Sequence, residues 1–117
     1  MNKVSVGREA EQIAADYLRE HGYDILDQNY TFKHMGELDI VAERDRTLVF
    51  VEVRFRRARG YGSPEESLTA RKLRTIRRVA EAWIAHHRRH GCPVRFDMIA
   101  VEQIHGATEI RHHRNAF

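Results

Sequence analysis

Acidic side chains on two consecutive predicted strands are the residues of this chain best suited to chemistry. The runs Gly36–Ala42 and Thr47–Arg54 are rich in β-branched and aromatic residues, and the polar segment between them is typical of a hairpin turn. Each run carries carboxylates among its apolar residues. The position of those carboxylates relative to one another therefore depends on how the two strands pair.

The register of this hairpin decides which charged residues face each other. With a two-residue loop, Asp39 lies opposite Glu52 and Glu37 lies opposite Arg54, and all four share a face because side chains alternate along a strand. Opposed carboxylates repel each other, and a divalent cation between them would turn that repulsion into a binding site. A three-residue loop would instead set Asp39 against Val51 and move Glu52 to the other face. A solvated hairpin face also carries charges without function, so the pattern alone leaves both interpretations open.

Length and composition indicate one soluble domain, residues 1–117, with its core at about residues 7–101. No apolar run is long enough to span a bilayer, and the segment Met1–Gly7 lacks the apolar core of an export signal. The single Cys92 rules out an internal disulfide and a thiolate zinc cluster. We therefore expect a cytoplasmic protein without a membrane partner.

Charge is distributed very unevenly along the chain. Residues 1–53 hold 6 Lys/Arg against 11 Asp/Glu, whereas residues 54–95 hold 12 against 3. A nuclease requires such a distribution, with carboxylates that bind a cation next to Lys/Arg residues that bind phosphates. The alternative is that the basic segment is merely solvated, or that the two halves attract each other.

The spacing of apolar residues predicts the element order αβββαββ. The central hairpin is flanked by two helices and three further strands: a helix from Gly7 to Glu20, a strand from Tyr23 to Tyr30, a helix from Pro64 to His90, and strands from Val94 to Val101 and from Thr108 to His112. The third and fourth strands, joined by a helix, are expected to form a right-handed parallel crossover. An α/β sandwich with a mixed sheet of about five strands follows.

Two helical residues lie at angles from which they could reach the acidic face. Glu11 borders the apolar stripe of the first helix, and Lys72 falls within the apolar side of the second. A lysine in such a position usually extends to water, and an ammonium near Glu52 is the alternative.

Basic residues in the second half of the chain are the candidates for phosphate contact. The segment from Arg56 to Pro64 is predicted to be a glycine-containing loop, and one face of the second helix carries arginines. The nucleic-acid contacts expected from these two segments are Arg56, Arg57, Arg59, Tyr61, Arg71, Arg74 and Arg78. His86 and His90, four apart, could chelate zinc, but the surrounding cationic segment opposes metal binding.

Several short motifs, in order from about Gly7 to Val101, resemble the bacterial YraN family. They are Gly7-x-x-Ala10-Glu11-x-x-Ala14-x-x-Tyr17-Leu18, Gly22-Tyr23-x-Ile25-Leu26-x-x-Asn29-Tyr30, Gly36-Glu37-Leu38-Asp39-Ile40-Val41, Phe50-Val51-Glu52-Val53-Arg54, Tyr61-Gly62-Ser63-Pro64, Lys72 and Arg95-Phe96-Asp97. That family is grouped with PD-(D/E)XK nucleases of the restriction-endonuclease-like fold, and it is similar to archaeal Holliday-junction resolvases.

The resemblance implies a function for five residues. Asp39 and Glu52 would be the metal-binding acids for Mg²⁺ or Mn²⁺, and Glu11 would match a first-helix glutamate of that group. The Glu-x-Lys of the family is Glu52-Val53-Arg54 here. Arginine keeps the positive charge, but it does not deprotonate and cannot serve as a base, so Lys72 is a candidate substitute.

The leading hypothesis is a metal-dependent endonuclease that acts on DNA in a structure-selective way, with a homodimer as one possible assembly. A catalytically silent nucleic-acid-binding module, or a partner of DNA-processing proteins, is the alternative that Arg54 favours. A protein–protein adaptor with acidic and basic halves is a third.

Overall fold

The chain folds into five strands that form one sheet, with helices on both faces. The computed structural model describes residues 3–57 and 62–117, with side chains described from residue 7 onward. Within those ranges the elements are α1 (Lys3–Glu20), β1 (Asp24–Thr31), β2 (Glu37–Arg44), β3 (Thr47–Arg57), a short 3₁₀-helix (Pro64–Ser67), α2 (Ala70–His86), β4 (Val94–Ile104) and β5 (Ala107–His113). The strand order is β1-β2-β3-β4-β5. Strands β3 and β4 are parallel and the other neighbours antiparallel, so the predicted mixed α/β architecture is confirmed.

Strand β3 alternates between two apolar layers. Val49 and Val51 pack with α1, whereas Leu48 and Phe50 pack with α2. This period of two, applied to a run of β-branched and aromatic residues, buries the strand on both faces. The two helices therefore lie on opposite faces of the sheet.

The hairpin between β2 and β3 has the register that a two-residue loop requires. Asp45 and Arg46 both have positive φ angles, 50° and 64°, as in a type I′ turn, whose twist matches that of paired strands. The register pairs Ile40 with Val51. The predicted register is confirmed, and the three-residue alternative is wrong.

Helix α2 is shorter than predicted at both ends. It begins at Ala70, where the Oγ1 of Thr69 accepts a hydrogen bond from the Lys72 backbone N–H at 3.2 Å, a standard N-terminal cap. Residues Pro64–Ser67 form a separate 3₁₀-helix. The helix ends at His86, so His90 lies beyond it and the two histidines do not share a continuous helical face.

The predicted basic loop is partly strand. Arg56 and Arg57 belong to β3, where they pair with Glu102 and Gln103 of β4. This corrects the expectation of a loop from residue 56, because the parallel ladder continues past Arg54. Arg59 and Tyr61 lie outside the described residues.

A buried ionic group on β4 attaches the C-terminal segment of the chain to that strand. Asp97, with no exposed surface, accepts two hydrogen bonds from Arg95 at 2.9 Å, one from His112 at 2.7 Å and one from the Asn115 backbone N–H at 3.1 Å. Burial opposes ionisation of Asp97, but the hydrogen bonds from His112 and Arg95 outweigh it and lower its pKa. The Arg-Phe-Asp motif therefore has a structural role.

Over residues 3–57 and 62–117, neither helix combines the length and the apolar character needed to cross a lipid bilayer.

Candidate metal and phosphate site

A cleft of about 500 Å³ lies between the ends of β2 and β3 and the first turns of α2. Its charged lining residues are Glu37, Asp39, Glu52, Arg54, Arg71 and Lys72. The four hairpin residues predicted to share a face thus line one cleft, and Lys72 lines it too, with its side chain exposed to water. Carboxylates and cations are therefore combined in one concave surface.

The side chain of Asp39 lies where β2 and β3 begin to separate. Its Oδ2 accepts a hydrogen bond from the Val53 backbone N–H at 2.8 Å. The carboxylate thus takes the place of the backbone carbonyl that a paired strand would supply. The carboxyl group also shares a hydrogen bond with the side chain of Glu52. Burial raises the pKa of Asp39. Burial, the charge of Asp39 and the shared hydrogen bond raise the pKa of Glu52 to about 9.

Arg54 is paired with Glu52 rather than with Glu37. Its Nη2 lies 3.0 Å from Oε2 of Glu52, and the two side chains are only 16% and 12% exposed. The Nε and Nη2 atoms of Arg54 are nevertheless buried without a hydrogen-bond partner among the described residues, so this contact is an attraction of charges with poor hydrogen-bond geometry. The alternative of an ion pair between Glu37 and Arg54 is not present among the described residues, since the β2–β3 ladder ends at the Ile40–Val51 pair, before it reaches these two residues.

A third group of oxygens comes from α1. Ligand oxygens of Glu11, Glu37 and Asp39 all lie within 4.8 Å of one another. Burial and the charges of Asp39 and Glu37 raise the pKa of Glu11 to about 7, and burial also raises that of Glu37. Three carboxylates that close together disfavour their own ionisation. Their hard oxygen donors are the type that Mg²⁺ and Mn²⁺ bind.

Glu37 and Asn29 are site residues absent from the ligand set predicted from sequence. Asn29 has a φ angle of 54°. With its amide nitrogen turned toward the acids, it donates to Glu37 Oε1 at 2.8 Å and to the Glu11 oxygens at 2.7 and 2.9 Å. In the sequence, the signal for Asn29 was its polar side chain in the first predicted strand, which was otherwise expected to be apolar. Asn29 holds an acid from α1 beside one from β2.

Lys72 and Arg54 both favour ionisation of Asp39 and Glu52. The positive charge of each lowers the pKa values of Asp39 and Glu52 against the larger effect of burial. Lys72 is exposed, whereas Arg54 is mostly buried. The two cations therefore approach the carboxylates from the open and the closed side of the cleft.

Gly36 allows β2 to start close against α2. Its φ angle is 141°, and a Cβ atom there would lie 2.6 Å from Cγ2 of Thr75 and 3.6 Å from Cγ2 of Val79. Only a residue without a side chain fits both the backbone and the space. The contact sets the distance between Glu37, the next residue, and the helix that carries Lys72.

Three of the arginines predicted to contact nucleic acid lie together on α2. Arg71, Arg74 and Arg78 line a smaller pocket of about 280 Å³, which shares Arg71 and Thr75 with the cleft. Arg77 instead lies over the ring of Phe96, at 4.6 Å from its centroid. The basic pocket, defined by Arg71, Arg74 and Arg78, thus continues the cleft along the helix.

Comparison with known proteins identifies the family. A model of the "Uncharacterised protein family UPF0102" matches residues 10–101. The chain belongs to the UPF0102 family. This confirms the YraN resemblance. Among UPF0102 relatives, the protein from Rhodococcus opacus (strain B4) is 42% identical over 117 residues, covering 99% of this chain and 98% of the relative. The one from Trichlorobacter lovleyi is 46% identical over 115 residues, covering 97% and 90%.

Proposed function

We propose that this UPF0102 chain is a metal-dependent endonuclease with a restriction-endonuclease-like fold, acting on DNA in a structure-selective way. The observation that carries the proposal is the convergence of the Asp39–Glu52 pair with Arg54 and Lys72 in one cleft. A like-charged buried pair is unfavourable on its own. Such a pair in a cleft is a typical sign of a functional site.

The carboxylates would hold Mg²⁺ or Mn²⁺. Asp39 and Glu52 would supply two of the ligands, and oxygens of Glu11 and Glu37 lie within 4.8 Å of an Asp39 oxygen. A divalent cation bound there would make a water molecule more acidic and neutralise charge on a phosphate. The oxygen-only donor set fits such a cation and does not fit a thiophilic one.

The cationic residues would hold the substrate. Arg54 and Lys72 can bind the non-bridging oxygens of the scissile phosphate, and the basic pocket can bind phosphates on either side. In the reaction a water oxygen attacks phosphorus, the bond from phosphorus to the leaving sugar oxygen breaks, the water loses its proton to solvent and the leaving oxygen gains one. Contacts to phosphates select backbone shape rather than base sequence.

A second function is favoured by Arg54. Because arginine does not release its proton, it cannot help to deprotonate water as a lysine could. A chain that binds nucleic acid and a cation without cutting, as a partner of DNA-processing proteins, is compatible with the same cleft.

One assay distinguishes the two. Purified protein with Mg²⁺ or Mn²⁺ is incubated with duplex, single-stranded, flap and four-way-junction DNA, and cleavage and binding are both measured. Cleavage that is lost in Asp39→Asn supports the endonuclease. Salt-sensitive binding without cleavage supports the silent module, and absence of DNA binding contradicts both.

A further inference from the structure

Arg54 forms an ion pair with Glu52, an acid that the proposed metal site needs. Its Nη2 is 3.0 Å from Oε2 of Glu52, and both side chains are mostly buried in the cleft wall. A carboxyl group held against a guanidinium is a weaker ligand for a divalent cation, because the two positive charges compete for the same oxygens. In this arrangement Glu52 is only partly available to a metal.

The hydrogen-bonding capacity of Arg54 is left unused by the same contact. Its Nε and Nη2 are buried without a hydrogen-bond partner in the described part of the chain. A buried donor without a partner is costly, and a guanidinium fork matches two oxygens of a phosphate. A phosphate entering the cleft would therefore satisfy Arg54 better than Glu52 does.

Resting on the proposed function, we infer that Arg54 is the phosphate-binding residue of the site and that phosphate binding transfers it from Glu52 to the substrate, which frees Glu52 for the cation. Cation and nucleic-acid backbone then bind with positive coupling. Either ligand strengthens the binding of the other by the same factor, as linkage requires. Without a bound phosphate the site holds its cation weakly. Nucleic acid that does not reach Arg54 therefore meets a site without the cation that cleavage needs.

The experiment measures Mn²⁺ binding by electron paramagnetic resonance of free Mn²⁺. It is performed on the full chain with and without a saturating short DNA duplex whose phosphorothioate linkages resist hydrolysis. For the wild type, we expect the duplex to tighten Mn²⁺ binding by about tenfold or more. For Arg54→Gln, we expect tighter Mn²⁺ binding than in the wild type when no duplex is present, and a clearly smaller effect of the duplex.

Arg77→Gln is the matched control, since it removes one positive charge from α2 at a residue that lies over Phe96 outside the cleft, and it leaves the Arg54–Glu52 contact in place. It should keep most of the coupling. Equal coupling in the wild type and in Arg54→Gln would overturn the inference, as would Mn²⁺ affinity in the wild type that ignores the bound duplex.

If Arg54→Gln does not fold, the wild type still tests the inference, because Mn²⁺ affinity that ignores the bound duplex overturns it. The two proposals can fail separately. Mn²⁺ binding without coupling leaves the metal site intact and removes only the role of Arg54. Absence of Mn²⁺ binding under both conditions removes the proposed function itself, and the inference with it.

Discussion

The carboxyl groups of Asp39 and Glu52 interact at the point where β2 and β3 separate, and burial raises the pKa of both residues. The charge of Asp39 also raises the pKa of Glu52, to about 9. A cation that binds here must therefore overcome the preference of the pair for protonation.

Asp39→Asn and Glu52→Gln should each abolish or strongly weaken Mn²⁺ binding, because each removes a charged oxygen ligand. Isothermal titration calorimetry provides the measurement. Asp45→Asn, which neutralises a carboxylate that is 92% exposed in the hairpin turn, is the control and should bind as the wild type does. Equal binding by all variants would place the metal elsewhere.

Without divalent cations, stability should fall as pH rises. In the folded chain the pKa of Glu52 is raised from 4.5 to about 9, so the folded state binds a proton more tightly than the unfolded state. The resulting stability is fully present below pH 4.5 and is lost as pH approaches 9. Urea unfolding in the presence of a chelator measures it.

Glu52→Gln should flatten that dependence and raise the free energy of unfolding near neutral pH by about 1–2 kcal/mol, as neutralising strained site residues often does. A pH profile identical to that of the wild type would show that another group controls it.

The basic pocket should control how DNA binding responds to salt. Each lost phosphate contact reduces the slope of log K against log salt by about 0.9 on duplex DNA. Replacing Arg71, Arg74 and Arg78 by alanine preserves helix propensity and should flatten the slope accordingly. The control replaces Arg19 and Arg46, which lie outside the cleft. If only the control flattens the slope, DNA binds on another surface.

Arg54→Lys should increase cleavage of the preferred DNA by about tenfold or more, because a compact amine that can titrate replaces a guanidinium that cannot. Single-turnover cleavage is the measurement, with Arg46→Lys as the control. A decrease would show that arginine is the better residue here. If Lys72→Met abolishes cleavage and Arg54→Lys changes nothing, Lys72 has the lysine role.

Gly36→Ala should destabilise the chain by about 1–3 kcal/mol, since its Cβ would collide with the Thr75 methyl group. Gly91→Ala is the matched control: its φ angle of 88° is also positive, but no atom lies within 4 Å of its added Cβ. The difference between them isolates the collision. Thr75→Ser removes the methyl group and should restore part of the loss in the double variant, as followed by urea unfolding.

The hairpin was predictable because its two determinants are local. A polar two-residue turn and strict alternation fix both the register and the shared face of Asp39 and Glu52. The partner of Arg54 was not predictable, because it depends on where the β2–β3 ladder ends, at the Ile40–Val51 pair. The grouping of Glu11 with Glu37 was equally hidden, since it requires the position of α1 relative to the end of the sheet.

The start of α2 was misplaced for a physical reason. Pro64 and Glu65 are good first residues for a helix, but Glu65 instead accepts hydrogen bonds from Arg111 of β5 at 2.7 and 3.0 Å. Those bonds, with one from His113, lower the pKa of Glu65 to about 2. Attachment to a distant strand overrides the local preference, and no pattern within the helix reveals it.

The parallel pairing of β3 with β4 has a consequence for the order in which the chain acquires its parts. Leu48 pairs with Val94, so residues 49–93 must be closed into a loop before this ladder forms, whereas the β2–β3 hairpin closes through two residues. Contacts distant in sequence form slowly because the loop entropy is lost first. We therefore expect the acidic wall of the cleft to form early in folding and the helix with its lysine and arginines to dock late, so that a half-folded chain would present carboxylates with no means of holding a nucleic acid.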